Sequence, residues 1–218
     1  MSKKDIQFEQ LFAGSRLDRR IRIARAGNPQ FKYLQWLLTA VSTSVDRPVL
    51  WAMRSEGLTC AATDGRRLHT CAKFLEIPEG TWLPEVNTTN EVILVEINRQ
   101  YPDFACVIPD DSEPTRHPLK THVEWGAEGI LMVRLGIAVD TNMLRDAVWG
   151  GGVRDKNEKV PLELVAEPDN PATRESERTQ SGYLAGPGPL VLNFSDWSRK
   201  AVIMPFKLKG DIYRDNKA

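Results

Sequence analysis

The side chains best suited to catalysis or metal binding are few in this chain and lie far apart in the sequence. They are three histidines and three cysteines, namely His69, His117, His122, Cys60, Cys71 and Cys106. The cysteines form no CxxC pair, and His117 and His122, which stand five apart in a predicted proline-containing loop, are not a helical metal pair. We therefore expect no metal centre, solvated histidines, and cysteines that act as small apolar residues in a reducing compartment.

Other patterns that support enzymatic chemistry are also missing. Three consecutive glycines at 150–152 follow a predicted helix and lack the lysine of a phosphate-binding loop. Asp110 and Asp111 are adjacent and so point in different directions, which suits a solvated linker better than a shared metal ion. The sequence contains no nucleophile elbow. We expect a protein that is not an enzyme and uses no cofactor.

Composition sets broad limits on the function. Hydrophobic residues make up 41% and charged residues 27% of the 218 positions, which is typical of a folded globular protein. Lysine plus arginine and aspartate plus glutamate both total 29, so the chain lacks the basic excess of a tight, static nucleic-acid binder. The first residues lack the apolar core of a signal peptide, and no run approaches the length of a membrane span. We expect a cytoplasmic protein with no membrane partner.

The strongest local signal is a turn at Asp64 and Gly65, followed directly by Arg66 and Arg67. Aspartate followed by glycine favours a two-residue primed hairpin turn, because both central positions of that turn need positive φ. The residues on either side, Leu58 to Thr63 and Arg67 to Phe74, suit extended chain. A hairpin with two guanidinium groups beside its turn is predicted here.

The elements that position this hairpin form a unit of one helix and several strands. Apolar residues at helical spacing predict a helix over 31–44, and strands are predicted over 6–12, 48–54, 58–63 and 67–74. Arginines alternate with apolar residues at Arg20, Ile21, Arg22 and Ile23, as in a half-buried edge strand. Phosphate binding by the same arginines is the alternative.

The rest of the chain predicts a second unit. Proline and glycine interrupt the segment 76–91 before an apolar alternation at 92–97, and a polar linker follows at 110–114. Asp140 is a suitable N-cap for a second helix that ends near Val148. Further strands are predicted over 121–125, 129–135, 160–166, 190–194 and 201–208, with a polar loop at 167–187.

Three stretches together resemble the bacterial sliding clamp, the β subunit of DNA polymerase III. They are Ala-Thr-Asp-Gly-Arg-Arg-Leu at 62–68, Tyr-Pro-Asp-Phe at 101–104 with Val-Ile-Pro at 107–109, and Val-Ile-Met-Pro-Phe-Lys-Leu at 202–208. The resemblance implies an α+β fold of β-α-β-β-β units with antiparallel sheets and few helices. It also implies two domains, at 1–109 and 110–218, similar to the family's second and third domains.

The resemblance further implies a pocket between the two domains that receives partner peptides. Its residues would be Arg47, Leu50, Thr63, Gly65, Arg66, Arg67, Leu68, Pro102, Val107, Val202, Ile203, Met204, Pro205, Phe206 and Leu208. In this family helices line the DNA-facing wall, so Lys32 and Arg145 on the predicted helices are candidate DNA contacts. Arg19, Arg20 and Arg22 near the N-terminus are further candidates, because guanidinium groups suit phosphates. The chain departs from the family at Arg66 and Phe206, which implies a different peptide preference.

The function implied is that of a reduced sliding clamp, a non-catalytic processivity factor of a replicative DNA polymerase. Its partners would be double-stranded DNA, bound without sequence readout, and peptides of the polymerase and the clamp loader. A ring of shortened chains requires a head-to-tail homo-oligomer, and a trimer suits two domains per chain. Because helices that line the ring are missing from the sequence, the alternative is a clamp-derived peptide-binding adaptor that encircles nothing.

Overall fold

The fold is taken from a computed structural model of the chain. It describes residues 12, 14, 16–74, 76–108, 116–122, 140–152, 161–165, 189–194 and 196–204. Several predicted elements lie outside the described residues: the strand over 129–135, the linker at 110–114, the polar loop at 167–187, the strand over 6–12 except Phe12, and the strand over 121–125 except positions 121 and 122.

Ten described strands form one antiparallel sheet that carries two helices. The strands are β1 (Arg16–Ala24), β2 (Met53–Glu56), β3 (Thr59–Thr63), β4 (Arg67–Ala72), β5 (Gly80–Asn87), β6 (Glu91–Ile97), β7 (Arg116–His122), β8 (Pro161–Val165), β9 (Leu190–Asn193) and β10 (Lys200–Ile203). The helices are α1 (Phe31–Leu38) and α2 (Thr141–Trp149). The predicted α+β class is confirmed, and the chain order β1, α1, β2, β3, β4 is the predicted β-α-β-β-β unit.

The strand order across the sheet is β1-β6-β5-β2-β3-β4-β10-β9-β8-β7. Strands β1 to β6 come from residues 16–97 and strands β7 to β10 from residues 116–203, so the two parts of the chain meet at the pairing of β4 with β10. Four residue pairs form that seam: Arg67 with Ile203, Leu68 with Val202, His69 with Ala201, and Thr70 with Lys200. Hydrogen bonds between backbones thus join the two parts into a continuous sheet. A domain boundary at 109/110 stays a prediction.

The two faces of the sheet bury different clusters, since alternate residues of a strand point to opposite sides. On one face, which we name the helix face, α1 and α2 cover the main core, including Met53, Trp82 and Ile203. On the opposite face, named the outer face, two smaller clusters are centred on Leu83 and on Leu68 with Val202. Successive strand residues therefore serve separate cores.

Helix α1 packs its apolar side on the sheet but is shorter than predicted. Its buried residues are Phe31, Leu34, Trp36, Leu37 and Leu38. The helix ends at Leu38 because the next residues make three-residue turns: the amides of Thr39 and Ala40 donate to Trp36 and Leu37. The Thr39 hydroxyl also donates to the Trp36 carbonyl, at 2.7 Å. The predicted extension to residue 44 is therefore wrong.

Helix α2 begins as predicted. The carboxylate of Asp140 accepts hydrogen bonds from the amides of Asn142 (2.8 Å) and Met143 (3.3 Å), which is N-cap geometry. The helix ends at Trp149, where the glycine run begins. The Trp36 indole of α1 donates to the Ala147 carbonyl of α2 at 2.7 Å, so the two helices are tied together over the sheet.

Three strand predictions need correction. The segment 48–54 begins as a 3₁₀ helix, Pro48–Trp51, and only then enters β2. The interrupted segment 76–91 contains a full strand, β5, which tolerates Pro84 because a bulge falls between Pro84 and Val86. Strand β7 starts at Arg116, so His117 and His122 belong to a strand and not to a loop.

His69 is a core residue and not the solvated histidine predicted. Its ring is fully buried and stacks on Trp36, with centroids 4.4 Å apart. The ring Nδ1 lies 3.2 Å from the Trp36 carbonyl oxygen and so carries the proton that it donates there. Burial, together with the charge of Arg67, lowers the pKa of His69 to about 3, so the imidazole is neutral at pH 7.

We predict that His69 makes the fold acid-sensitive. Below pH 6.5 this imidazole is protonated in the unfolded chain, whereas in the folded chain it stays neutral down to about pH 3. The free energy of unfolding therefore falls as the pH drops from 6.5 to about 3. From pH 7 to pH 4.5 this costs about 2 to 3 kcal/mol. In urea titrations, His69→Phe should lose less stability over that interval than the wild type; equal losses would contradict the assignment.

Gly151 supplies a second prediction, because it lies where the end of α2 meets α1. Its φ is +66°, and a Cβ there would lie 2.5 Å from both the Lys32 carbonyl oxygen and the Trp36 amide nitrogen. Gly151→Ala should lower the free energy of unfolding by about 2 to 5 kcal/mol.

Gly152 is a matched control for that substitution. Its φ is +69°, but a Cβ there would meet no atom within 4 Å. Gly152→Ala should therefore cost only the backbone strain, about 1 kcal/mol. Denaturant unfolding of both variants measures the difference, and equal losses would show that the helices do not approach each other at Gly151.

Candidate functional site

The turn between β3 and β4 differs from the predicted two-residue hairpin. The last residue pair is Thr63 with Leu68, and Gly65 has positive φ (+88°) while Asp64 does not. The Asp64 carboxylate shapes the turn instead, since its Oδ1 accepts hydrogen bonds from the amides of Arg66 (2.9 Å) and Arg67 (3.0 Å). The Thr63 hydroxyl donates to the Arg67 carbonyl at 2.6 Å. The turn is held by side-chain caps.

A cavity of about 460 Å³ opens on the outer face over the seam between β4 and β10. Leu68 and Val202, which are direct register partners, contribute to its lining from the two strands. The other lining residues come from four places: the segment 46–50, the β3–β4 turn, the segment 99–107, and Met204 directly after β10. We name this cavity the seam pocket. It exists because both parts of the chain contribute to one sheet.

The structure brings most of the predicted pocket residues together. The predicted residues that line the seam pocket are Arg47, Leu50, Thr63, Gly65, Arg66, Arg67, Leu68, Pro102, Val107, Val202 and Met204. Ile203 does not, because strand alternation turns it to the helix face, where it is fully buried. Pro205, Phe206 and Leu208 lie outside the described residues.

Six residues that were not among the predicted pocket residues also line the seam pocket: Asp46, Pro48, Val49, Arg99, Asp103 and Phe104. Asp103 and Phe104 lie inside the stretch at 101–104 that resembles the clamp family, and Pro48 and Val49 lie between the predicted pocket residues Arg47 and Leu50. Neighbouring residues therefore gave a signal for these four. Arg99 follows β6 with no local pattern to mark it. Its contribution depends on how the segment after β6 crosses the sheet.

The segment after β6 is fixed against the turn. The buried hydroxyl of Tyr101 accepts a hydrogen bond from the Thr63 amide at 3.1 Å, and burial raises the pKa of this phenol well above its usual value. Asp103 accepts from the amide of Ala105 at 2.9 Å and so starts the 3₁₀ helix Ala105–Val107. Phe104 then packs on Leu68 and Val202. This wall of the pocket is therefore ordered by local and long-range bonds.

Arg67 is mostly buried and bonded on three sides. Its Nε donates to Asp64 Oδ2 at 3.0 Å, its Nη1 to Asp146 Oδ2 of α2 at 2.8 Å, and its Nη2 to the carbonyl oxygen of Thr39 after α1. The side chain is only 11% exposed. Arg67 therefore serves the pocket's architecture, whereas the exposed Arg47 and Arg66 lie at the rim.

The candidate DNA contacts divide between the two faces. Arg20 and Arg22 lie on the outer face of the edge strand β1, where they pair with Glu85 (2.5 Å) and Glu91 (2.7 Å). Arg19 lies on the helix face and pairs with Glu96 at 3.1 Å. The structure therefore does not bring all five predicted cations to one surface.

Lys32 and Arg145 are the two candidates on helices. Lys32 is exposed on α1 and Arg145 is exposed on α2. With Arg19 they belong to the helix face, opposite the seam pocket.

Within the described residues no group of three or more histidine, cysteine or acidic side chains could hold a metal ion. Burial raises the pKa values of the Cys60 and Cys71 thiols, which keeps them protonated and unreactive at neutral pH. No helix of the described chain is long and apolar enough to cross a membrane.

Comparisons with known proteins agree with the fold. No family model matches the chain, and no curated protein matches it. Among solved structures, the chain is similar to the DNA polymerase III β subunit of Borrelia burgdorferi, solved in complex with a natural product. The identity is 14%, the TM-score is 0.50, and the match covers 87% of this chain and 64% of that one.

Two other similar structures have lower TM-scores. The Pseudomonas aeruginosa sliding clamp has 13% identity, covers 95% of this chain and 70% of its own, and gives 0.48. A DNA polymerase III β subunit so named from Eubacterium rectale has 8% identity and a TM-score of 0.48, and the match covers 88% of this chain and 66% of that one. The chain spans about 64% of the length of the Borrelia protein. It has the fold of the bacterial sliding clamp, the β subunit of DNA polymerase III.

Proposed function

We propose that this chain is a sliding-clamp-like processivity factor, a non-catalytic accessory subunit of a replicative DNA polymerase. In this role it holds peptides of the polymerase and the clamp loader in the seam pocket and moves along double-stranded DNA without reading sequence. The observation that carries the proposal is the seam pocket itself, which gathers residues from all three stretches that resemble the clamp family. We propose a cytoplasmic location, because bacterial DNA is replicated in the cytoplasm.

The chemistry of the seam pocket suits a peptide with apolar side chains. Leucine, valine and proline side chains form its walls, and Met204, which is 49% exposed, offers a flexible apolar surface that adapts to its occupant. Arg47 and Arg66 at the rim supply donors for peptide carbonyl or carboxylate groups. The apolar walls bind the side chains of an extended peptide, and the few polar groups orient its backbone.

The helix face is the surface we propose for DNA. Lys32 and Arg145 project from α1 and α2 with exposed side chains, and their charges suit phosphates. A net charge of zero keeps the overall attraction weak, as sliding requires. Arg20 and Arg22 already neutralise glutamates on the outer face, so we assign them to the edge strand and leave them out of the DNA surface.

A closed ring requires these chains to join head to tail, and the sheet has two edges for it. Strands β1 and β7 are the first and last in the strand order, so each has one side that no other described strand pairs with. Leu17 on β1 is 44% exposed and so offers an apolar side chain to a second chain at this edge. We propose a homo-oligomer, a trimer of two-domain chains with domains at 1–109 and 110–218, formed by pairing these edges.

Peptide binding tests the proposed pocket. A fluorescently labelled clamp-binding peptide from a bacterial DNA polymerase III should bind the wild type, and Met204→Asp and Val107→Asp should each weaken binding about tenfold or more. The reason is that each substitution places a charge in the apolar cavity, where it loses hydration. Both side chains are about half exposed, at 49% and 47%, so the fold tolerates the change. Fluorescence anisotropy measures the affinities.

Leu58→Asp is the matched control for this measurement. Leu58 is 88% exposed and lies in the turn between β2 and β3, outside the pocket lining. The control should bind the peptide as the wild type does. A wild type that binds no peptide, or equal weakening in all three variants, would overturn the pocket assignment.

Light scattering tests the ring. The solution mass should be a fixed multiple of 24.6 kDa over a range of concentrations, three for a trimer. Leu17→Asp should shift the protein to monomer by placing a charge in the edge-to-edge contact, while Leu58→Asp should not. A wild type that is monomeric and still binds the peptide would replace the ring with a peptide-binding adaptor.

A further inference from the structure

Asp146 of helix α2 lies outside the set of residues that line the seam pocket, yet it is connected to the pocket's rim. The connection begins at the β3–β4 turn, whose backbone conformation depends on Asp64. One oxygen of that carboxylate accepts the amides of Arg66 and Arg67, and the other accepts Arg67 Nε at 3.0 Å. The rim is therefore only as fixed as the Asp64 carboxylate and the Arg67 guanidinium that holds it.

The guanidinium of Arg67 is fixed in turn by the helix face. Its Nη1 donates to Asp146 at 2.8 Å, and its Nη2 donates to the Thr39 carbonyl after α1. Asp64 and Asp146 thus hold different nitrogens of one planar fork, so the position of one acid determines where the other finds its partner. A chain of charge-assisted hydrogen bonds therefore runs from Asp146 of α2 through Arg67 to Asp64, which caps the β3–β4 turn at the pocket rim.

Asp146 is well placed to control this chain. The Arg67 side chain is 11% exposed and that of Asp146 is 32% exposed, so solvent screens the pair less than an ion pair at the surface. Helix α2 is itself held by the bond from Trp36 to the Ala147 carbonyl, one residue from Asp146. The anchor at the far end of the chain is therefore rigid.

We infer that Asp146 is a positioning residue of the seam pocket, acting through Arg67 to hold the β3–β4 turn in the conformation that receives a peptide. Without the Asp146 carboxylate, Arg67 loses one of its two anionic partners. Its guanidinium is then less firmly positioned and holds the Asp64 carboxylate less firmly in turn. The turn then samples other conformations, and a peptide must order it on binding. The inference rests on the proposed peptide-binding function only for its consequence in affinity.

Hydrogen–deuterium exchange on the ligand-free protein tests the positioning role directly. In Asp146→Ala, amides of residues 64–68 should exchange faster than in the wild type, while those of β5 and β6 keep their rates. Asn142→Ala is the matched control, because Asn142 is exposed on the same helix and only its backbone amide bonds to the Asp140 cap. Its exchange at 64–68 should equal that of the wild type. Uniform acceleration across the sheet, or none at 64–68, would overturn the inference.

Peptide affinity tests the consequence. Asp146→Ala should bind the labelled clamp-binding peptide about three- to tenfold more weakly, and Asp146→Asn, which keeps an acceptor oxygen but loses the charge, should lie between it and the wild type. If the wild type binds no peptide, the proposed function fails while the exchange result still decides the positioning role. If the wild type and Asp146→Ala bind equally well, the inference fails and the proposed function stands.

Discussion

The pairing of β4 with β10 is the interaction on which the rest of this structure depends. Four residue pairs there join strands from the two parts of the chain, and through them the sheet becomes continuous from β1 to β7. Backbone hydrogen bonds fix the register, and the register decides which side chains share a face. A slip by one residue would turn Val202 to the helix face and Ile203 to the outer face. The seam pocket and the main core would be lost together.

Side-chain packing on the helix face stabilises the pairing of β4 with β10. The neutral His69 of β4 stacks on Trp36, and the guanidinium of Arg199, which directly precedes β10, lies 5.1 Å from the ring of the same tryptophan. Arg199 is buried and pairs with Asp196 at 2.6 Å, so its charge is compensated where water is excluded. Trp36 therefore contacts side chains on both seam strands or next to them, and its indole also bonds α2. One aromatic residue of α1 connects the two parts of the chain.

The two faces of the sheet carry separate roles that the strand alternation keeps apart. The outer face holds the seam pocket, with apolar walls and arginines at its rim. The helix face holds the core, the helices and the exposed Lys32 and Arg145. Arg67 reaches from the pocket lining to Asp146 of α2 and to the Thr39 carbonyl directly after α1. Its fork geometry permits this, since three separate nitrogens donate in fixed directions.

The sequence by itself determined the elements whose signals are local. Alternation marked the edge strand β1, the N-cap Asp140 marked the start of α2, and the residues around Asp64 marked a turn whose neighbours line a pocket. Local signals could not find β5, because Pro84 breaks the pattern and only the bulge in the paired strand accommodates it. They also missed Arg99, and the resemblance to the clamp family placed Ile203 in the pocket although strand alternation turns it to the helix face. The burial of His69, the bonds of Arg67 and the division of the cations between two faces were decided by tertiary structure, because each depends on residues far apart in the chain that only strand register and the packing of the helices on the sheet bring together.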